Sequence, residues 1–452
     1  MAIGLLAVGL TAASAQQPPA LTLPQAVAVA LERNPERKAV LAETHAATAD
    51  VREAKSAFLP RLDFSEIVTR SNDPVYVFGT RLRQSRFTAA DFALNRLNQP
   101  TPISNFATRF GAQWNVFDSF ASSRNLQRAR QMNDAASQQL AMEDQRIVFR
   151  VIQAYYALLF ANRQLEVAEQ ARKTAQVVAD DSHARTEAGT VVESDYLAAE
   201  VNVAARQQEL IRARNNASLA LAQLNLAMGI PAETQHAFPE GLKEGSFEAL
   251  KLAEEEQKAL QGRPDLKQAA SELAAQKTGV QAAKSAFGPR VDVFAASEID
   301  NVSLFGNGSN NWLAGAELQI DLFSGGRKLA RLSHEKAMLD RATATRQVAE
   351  DNIRLEVRRA FYDWDSARQM LEVARGAVAQ AEEGLRITRN RYGAGLTTIT
   401  EMLKAEDAAR ATSANYWDAV YRYHVSYAAL ELATGSLTPH SLVVTQSAVV
   451  NP

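Results

Sequence analysis

Cysteine is absent from all 452 residues of this chain. Its absence excludes disulfide bonds, thiolate metal sites, a cysteine nucleophile and a lipidated N-terminal cysteine. An excess of either charge is missing too, since 49 Lys and Arg residues stand against 51 Asp and Glu residues. Nucleic-acid-binding proteins carry a marked basic excess, so this composition predicts no nucleic-acid partner.

Clustered histidines and catalytic motifs are also lacking. The six histidines are scattered with no pair at metal-ligand spacing, and none accompanies Ser and Asp in a nucleophile elbow. The glycine-rich stretch Gly306–Ser309 has the composition of a turn, and no helix follows it to form a phosphate-binding loop. We therefore expect no enzyme activity, no metal site and no cofactor.

A membrane-spanning helix needs roughly 20 apolar residues in a row. Beyond the N-terminus the sequence has no apolar run of that length. Residues 2–13 are small and apolar, and Ala13-Ser14-Ala15 has the form of a signal peptidase site. Residues 1–15 are therefore predicted to be an export signal, with a mature start near Gln16. If the mature protein crosses a membrane, it must do so as a β-barrel.

The chain contains an internal twofold repeat. Ala54–Phe64 (AKSAFLPRLDF) returns as Ala283–Val293 (AKSAFGPRVDV), and the same displacement aligns Asn34-Pro35 with Arg263-Pro264. In both copies a helical pattern runs into a proline, Pro60 or Pro289, and leaves it as an alternating pattern. Each proline therefore marks a predicted helix-to-strand junction.

The repeat predicts two structural halves joined by a linker at 231–246 and followed by a tail at 436–452. In the first half, 16–230, we predict strands at about 61–70 and 109–117, a long loop at 71–108 and helices at about 124–188 and 193–228. In the second half, 247–435, we predict helices at 247–260 and 264–287, strands at about 291–299 and 311–321, and helices at about 327–392 and 398–434.

The helices after each strand pair are unusually long. Residues 124–188 contain neither Gly nor Pro, and a helix of this length would measure close to 100 Å at 1.5 Å per residue. Such a helix must belong to a coiled coil or a stacked helical assembly. Alanine clusters recur along these helices and would allow close approach of neighbouring helices.

Four predicted strands per chain suit a membrane only as part of a larger barrel. Strands of about ten residues match a tilted bilayer crossing, and the alternation of Phe110, Ala112 and Trp114 with polar residues gives one lipid face and one lumen face. Four strands cannot close a barrel, and even small barrels need about eight. Three chains would supply twelve strands, so this interpretation requires an oligomer.

A different class of protein is compatible with the helices alone. An antiparallel coiled-coil bundle, a soluble periplasmic structural or adaptor protein, would show the same long Ala-rich and Gln-rich segments. The two strand hairpins inserted at equivalent places favour the channel, since a pure coiled coil has no use for them. The two hypotheses differ in whether the protein fractionates with outer membranes.

The order and duplication of these features resemble the TolC family of outer-membrane efflux proteins. The resemblance rests on the repeat, on Pro60 and Pro289, on the segment Asp321–Arg327 before a long helix, and on the Ala-Gly turns at Ala188 and Ala394. It implies a mainly α fold with a small β part. It also implies a homotrimer with a twelve-stranded transmembrane β-barrel and a periplasmic α-barrel of long helical hairpins, in the outer membrane of a Gram-negative bacterium.

The resemblance implies a gate at the periplasmic end. By position from the turns, Tyr392 matches the family's gate tyrosine and Asp195 the acidic residue that it clasps, while Thr397 replaces an arginine that often completes the clasp. Glu401 and Lys404 stand where the family has an acidic ring. Loss of the arginine should weaken closure, and Lys404 should halve the acidic character of the constriction.

The gate residues also have ordinary structural interpretations. Asp195 would be favourable at a helix N-terminus because of the helix dipole, and so would Glu401. Tyr392 would pack against the last turn of its own helix. The sequence leaves both interpretations open.

The resemblance further implies passive export driven by partners. An inner-membrane pump of the RND or ABC type would supply energy, and a periplasmic adaptor would dock at the turns Ala188-Gly189-Thr190 and Ala394-Gly395-Leu396. The 71–108 loop should face outside the cell, with its aromatic residues capping the barrel mouth, packing between protomers or meeting an external partner. Whether the cargo is a drug, a metal ion or a protein secreted by a type I system is left open.

Overall fold

The computed structural model describes residues 20–239, 241–304, 306 and 308–445, so the predicted export signal lies outside the described residues. The helices of the first half are α1 (Leu23–Arg33), α2 (Pro35–Ser56), α3 (Pro74–Arg83), α4 (Leu94–Asn98), α5 (Ala121–Glu187) and α6 (Glu193–Met228). Those of the second half are α7 (Leu252–Gly262), α8 (Pro264–Ser285), α9 (Arg327–Gly393), α10 (Ile399–Thr434) and α11 (Leu442–Thr445). The strands are β1 (Arg61–Ser71), β2 (Ile103–Phe117), β3 (Arg290–Asn301) and β4 (Ser309–Gln319).

The four strands form one antiparallel sheet in the order β1-β2-β3-β4. Each half contributes a hairpin, and the hairpins join where β2 pairs with β3, from Phe106 opposite Asn301 to Phe117 opposite Val291. Pro60 and Pro289 stand directly before β1 and β3, which begin at the following residue. Proline has no amide hydrogen to offer a ladder, so it suits the residue before a strand.

The chain divides into two compact units, and the division does not follow the repeat. The helical unit comprises the described parts of Met1–Ala42, Gln138–Leu266 and Ala349–Pro452, and the sheet unit comprises Glu43–Ser137 and Lys267–Val348. Each unit therefore takes segments from both halves. The halves 16–230 and 247–435 describe the sequence, and neither is a spatial domain.

The helical unit is built around one large apolar cluster. Five large side chains from four helices are each at most 2% exposed: Leu23 and Val27 of α1, Ile152 of α5, Leu224 of α6 and Trp364 of α9. They pack in one cluster with Val420 and other residues of α10. Burial of a large apolar side chain contributes about 1.5–3 kcal/mol, so this cluster dominates the stability of the unit. No helix in the described part of the chain has an apolar stretch long enough to cross a membrane.

Equivalent glycines end α6 and α10 in the same conformation. Gly229 and Gly435 both have φ of 72°, a backbone region that residues with a side chain rarely adopt. Each also lies against an X-Pro junction, because a Cβ on Gly229 would be 2.7 Å from Cα of Asn34 and one on Gly435 would be 2.9 Å from Cα of Arg263.

The same junctions are joined by side-chain hydrogen bonds. Asn34 Nδ2 donates to the carbonyl of Ala227 at 3.0 Å, and Arg263 Nη1 donates to the carbonyl of Ala433 at 3.1 Å. Both carbonyls belong to the residue two before the capping glycine. The repeat is thus preserved in contacts as well as in sequence.

The predicted loop at 71–108 is wrong as a single loop. Helix α3 occupies its first part, a 3-10 turn (Ala89–Phe92) and α4 follow, and β2 begins at Ile103, six residues before the predicted strand. Asp73 caps α3 by accepting from the Tyr76 amide at 2.7 Å. The aromatic rings of the segment pack on one another, with ring centroids 4.8 Å apart for Phe78 and Phe87 and 5.1 Å for Phe87 and Phe92.

Two smaller predictions also need correction. Residues 247–251, predicted as helical, contain no helix, and α7 begins at Leu252. The predicted tail at 436–452 contains α11, and Val443 and Val444 of that helix are fully buried. The tail is therefore packed on the helical unit as far as Thr445.

Candidate functional site

The two turns between the long helices have the same backbone geometry. Gly189 has φ of 70° and Gly395 has φ of 72°. The amide of Thr190 donates to the Arg185 carbonyl at 2.9 Å, and the amide of Leu396 donates to the Arg391 carbonyl at 2.8 Å. Bonds of this span close a helix C-terminus when a glycine takes the left-handed conformation. The predicted docking turns therefore form two equivalent, exposed ends of helical hairpins.

A small apolar cluster lies behind the turns and joins the two hairpins. The cluster consists of four buried residues: Ala179 of α5, Ala199 of α6, and Ile399 and Met402 of α10. Tyr392 of α9 packs against them. Two alanines in such a cluster allow the helix backbones to approach closely. The hairpins are consequently in direct contact near their ends.

Tyr392, the predicted gate tyrosine, is placed in this cluster with its hydroxyl shielded. The hydroxyl has no hydrogen-bond partner among the described residues, and the Arg185 guanidinium lies 5.8 Å above the ring. A shielded hydroxyl without a partner costs about 1–3 kcal/mol. The predicted hydrogen bond from Tyr392 to Asp195 is not formed within one protomer.

Asp195 lies in the first turn of α6, where its carboxylate faces the positive end of the helix dipole. It is half-buried. Thr397 directly precedes the residue that caps α10, Thr398, whose hydroxyl accepts from the Glu401 amide at 3.4 Å. The structure therefore places Asp195 and Thr397 at helix starts and does not bring them together with Tyr392.

Glu401 and Lys404 form an ion pair. Lys404 Nζ lies 3.0 Å from Glu401 Oε1, and both side chains are more than half exposed. The two opposite charges therefore offset each other within one chain, and the reduced acidic character of a constriction at this level stays a prediction.

A buried charge network, missed by the sequence analysis, links α6 to α10. Arg206 is 8% exposed and lies 2.7 Å from Glu209 and 2.5 Å from Asp407. Arg410 closes the network at 3.0 Å from Glu209. Arg206 and Glu209 are three residues apart on one helix, a spacing at which side chains contact each other, so their ion pair can be predicted from the sequence. The contact across helices depends on packing and has no signal in the sequence.

The sheet has one apolar and one largely polar face, as the alternation predicts. The strand register places seven exposed apolar residues on one face: Leu62, Phe64, Val68, Phe110, Trp114, Trp312 and Leu318. The opposite face carries acids, amides and an arginine: Asp63, Asn105, Arg109, Gln113, Asp292, Glu298, Asp300 and Glu317. An exposed aromatic and aliphatic face suits lipid, and a polar face suits a water-filled lumen.

Helix α3 is attached to the polar face of the sheet. Gln84 is buried, and its Nε2 lies within 3.1 Å of the Ser104 carbonyl, Asn105 Oδ1 and the Asn301 carbonyl. Asn105 in turn donates to the buried Asp300 carboxylate at 2.6 Å. Arg83 pairs with Glu298 on the same face at 3.1 Å. The described residues contain no cluster of three or more His, Asp or Glu side chains arranged for a metal ion.

Comparison with known proteins places this architecture in a family. The family model described as outer membrane efflux protein matches residues 26–230 and 256–436. The chain belongs to the outer membrane efflux protein family. Members of this family are channel and transport proteins of the outer membrane, so the predicted family, fold class, export-channel function and outer-membrane location are confirmed.

Relatives within the family are named for different roles. The alkaline protease secretion protein AprF of Pseudomonas aeruginosa is 24% identical over 90% of this chain and 83% of its own length. The cation efflux system protein CusC of Escherichia coli K12 is 26% identical over 73% of each chain. The protein CyaE of Bordetella pertussis is 28% identical over 72% of this chain and 67% of its own length.

Solved structures share the fold at low identity. The Campylobacter jejuni CmeC outer membrane channel superposes with a TM-score of 0.79 at 17% identity, covering 99% of this chain and 96% of that one. A CusC structure gives a TM-score of 0.76 at 19% identity, covering 92% of each chain. At this identity the likeness establishes the fold, and substrates and partners need separate evidence.

Proposed function

We propose that this protein assembles as a homotrimer and exports substrates passively from the periplasm, or from a pump, to the cell exterior. The two-faced sheet carries the proposal. Strands β1 and β4 are its edges, and unpaired edges are not tolerated in hydrocarbon. Pairing β4 of each chain with β1 of the next closes a twelve-stranded barrel with the apolar face toward lipid.

The proposed energy source lies outside this chain. The described residues contain no metal cluster, and the sequence has no phosphate-binding loop. A periplasmic adaptor and an inner-membrane pump of the RND or ABC type would drive export. The adaptor would dock at the exposed turns around Gly189 and Gly395, where Val192 is 63% exposed and Leu396 is 68% exposed.

The proposed periplasmic gate consists of Asp195, Tyr392, Thr397, Glu401 and Lys404. Support comes from the shielded hydroxyl of Tyr392, which has no hydrogen-bond partner among the described residues of one protomer. In this proposal the Tyr392 hydroxyl donates a hydrogen bond to the Asp195 carboxylate in the closed trimer. The bond forms either across a protomer boundary or after a shift of the hairpins. Opening would then break that bond and separate the two hairpins at the apolar cluster of Ala179, Ala199, Ile399 and Met402.

Secretion of a protein is a second candidate for the cargo. The relative named for alkaline protease secretion matches 90% of this chain, whereas the relative named for cation efflux matches 73%. Both roles use a passive channel. The distinction would therefore lie in the pump and adaptor that dock at the turns.

The proposal is tested by planar-bilayer conductance of the detergent-purified protein, with the subunit number read by cross-linking in the same preparation. A cross-linked trimer that gives discrete conductance steps supports it. A monomer or dimer that is soluble without detergent and electrically silent would overturn it and favour the coiled-coil adaptor.

A further inference from the structure

Helix α3 lies across the polar face of the sheet, at the end where the two strands of each hairpin are connected. It contacts β3 and β4, and Gln84 at its end reaches the first residues of β2. Val77, Thr80 and Gln84 are buried and are three and four residues apart, so they form one stripe on the helix. This stripe faces the sheet, and the opposite side of α3 is exposed.

The turn after α3 holds Arg86 in a defined place. Ser85 takes the left-handed conformation, with φ of 53°, and the amide of Arg86 donates to the Arg81 carbonyl at 3.0 Å. Bonds of this span close a helix C-terminus. Gln84 anchors the same turn to the Ser104 carbonyl at 3.1 Å. The backbone of Arg86 is therefore fixed relative to the end of the sheet.

The connection that contains α3 has an excess of positive charge. Residues 73–98 include four arginines, no lysine and two acids. Arg81, Arg83 and Arg96 each form an ion pair. Arg86 is exposed and has no ion pair within the described part of the chain. One uncompensated guanidinium group per chain therefore remains beside the end of the sheet.

The acids of the sheet near this level are already engaged. Glu298 is paired with an arginine of α3. Asp300 is fully buried and accepts hydrogen bonds from Asn105 at 2.6 Å and Asn311 at 3.3 Å. Arg86 is therefore an exposed charge that a solute passing this end of the sheet would meet.

A cavity of about 330 Å³ shows that Arg86 lies on the same side of the sheet as α3. Arg86 and Gln84 line this cavity together with Ile103 of β2 and Val302 after β3. Strand alternation puts Ile103 in the row of Asn105, which belongs to the polar face. Arg86 therefore accompanies the face that lines the lumen in the proposed trimer.

The dimensions of a twelve-stranded barrel make α3 a restriction of its lumen. Twelve strands about 4.8 Å apart and tilted by about 40° enclose a barrel about 24 Å across between backbones. A helix with its side chains is about 10–12 Å wide. Three copies of α3 at one level would therefore leave a narrow path between them, with three copies of Arg86 beside it.

We propose that α3 restricts the outer end of the lumen and that Arg86 makes this restriction favour anionic solutes. Rings of basic side chains in a pore favour anions because they attract a negative charge as it passes. This inference rests on the proposed function, in which the polar face lines the lumen and the connection between β1 and β2 faces the cell exterior.

The test is block of the single-channel current by tripolyphosphate, added to each side of a planar bilayer in turn. We expect stronger block from one side, because the restriction lies at one end of the lumen. Arg86→Gln should raise the half-blocking concentration from that side by about tenfold, because the three guanidinium groups of the trimer are removed together.

Arg70→Gln is the matched control. Arg70 is exposed at the same end of the sheet and also has no ion pair within the described residues, but alternation puts it in the row of Val68 on the apolar face. Its replacement changes the net charge as much as Arg86→Gln does and should leave the block unchanged. Gln84→Ala should weaken the block and raise the conductance, because it releases α3 from the sheet.

The contrary results are distinct. An equal half-blocking concentration in Arg86→Gln and the wild type would place Arg86 outside the conduction path and overturn the inference. Equal weakening by Arg70→Gln would overturn it as well, because the effect would then be one of overall surface charge. Unchanged conductance in Gln84→Ala would contradict a restriction by α3. A conducting trimer that tripolyphosphate does not block fails only this inference, whereas a preparation without channels fails the proposed function.

Discussion

The ammonium nitrogen of Lys404 lies 3.0 Å from a carboxylate oxygen of Glu401, one turn earlier on α10. An exposed pair of this kind contributes at most about 1 kcal/mol to stability, so its main effect is on local charge. In a trimer the pair would set the net charge of a ring that otherwise carries three carboxylates.

Removing the lysine should make the channel prefer cations. Lys404→Gln leaves Glu401 without its partner, so the reversal potential in a potassium chloride gradient should shift toward the cation value. The double variant Glu401→Gln/Lys404→Gln is the control and should return close to the wild type. An unchanged reversal potential in Lys404→Gln would show that this level of α10 does not face the conduction path.

The gate proposal predicts larger currents when the clasp is removed. Asp195→Ala or Tyr392→Phe should each raise the single-channel conductance of the closed state, because each deletes one side of the proposed bond. Tyr196→Phe is the control, since Tyr196 lies beside Asp195 and its ring packs on His183 with centroids 4.8 Å apart. Wild-type current in both gate variants would remove the gate proposal.

Replacing a capping glycine with alanine should lower the stability of the protein, whereas the same replacement at two glycines within helix α9 should not. Gly229→Ala and Gly435→Ala force the left-handed conformation on alanine and push its Cβ against a neighbouring backbone, at a cost of at least about 1–2 kcal/mol each. Gly376 and Gly384 have nothing within 4 Å, so Ala at either should stabilise α9 by roughly 1 kcal/mol. The measurement is the thermal unfolding temperature of the four purified variants, which should be below the wild type for the two capping glycines and above it for the two glycines of α9.

Stability should fall as pH rises toward neutrality because of Glu431. Burial, followed by the nearby Glu255 carboxylate, raises the pKa of Glu431 from 4.5 to about 7. The folded state therefore holds a proton that the unfolded state releases above pH 4.5. The stabilisation is complete below pH 4.5 and is lost as pH rises to about 7.

Glu431→Gln removes this titration and is the matched variant. The partly exposed carboxyl is screened by solvent, so we expect a loss of about 1–2 kcal/mol over the window in the wild type and a flatter profile in the variant. The measurement is the apparent melting temperature of both proteins from pH 4 to 8 in steps. Parallel profiles would assign the titration to another group.

Helix α3 should detach from the sheet when Gln84 is truncated. Gln84→Ala leaves the Ser104 and Asn301 carbonyls and the Asn105 amide group without a buried donor, at a cost of about 1–3 kcal/mol. Trypsin should then cut at the arginines of 81–86 faster than in the wild type. Gln99→Ala, in the same segment, should leave the cleavage rate unchanged, and equal rates in both variants would contradict the anchoring role of Gln84.

Much of the fold follows from residues that punctuate the sequence. Pro60 and Pro289 locate both helix-to-strand junctions, and Gly189 and Gly395 locate both hairpin turns, because proline and glycine act on the backbone directly. The signal for α3 was also present, since Asp73-Pro74 is a capping residue followed by a proline at the first helical position. A helix of ten residues is too short for its apolar periodicity to distinguish it from a loop, which is why 71–108 is predicted as a loop.

The errors arise where packing between segments decides the outcome. The first residues of β2 were missed because α3 covers Asn105, so this part of the strand carries polar residues that are buried by hydrogen bonding to Gln84 and Asp300. The unpaired hydroxyl of Tyr392 likewise depends on how two hairpins meet. Neither arrangement has a periodicity that a single sequence displays.

The pairing of β2 with β3 also determines the order in which the protein can fold. Asn105 and Asp300 are joined by a hydrogen bond but stand 195 residues apart in the chain. At a synthesis rate of about 5–20 residues per second, the second hairpin arrives roughly 10–40 s after the first. During that interval the edge of β2 that later pairs with β3 is open to any other strand, and it is closed only when the second half of the chain is delivered.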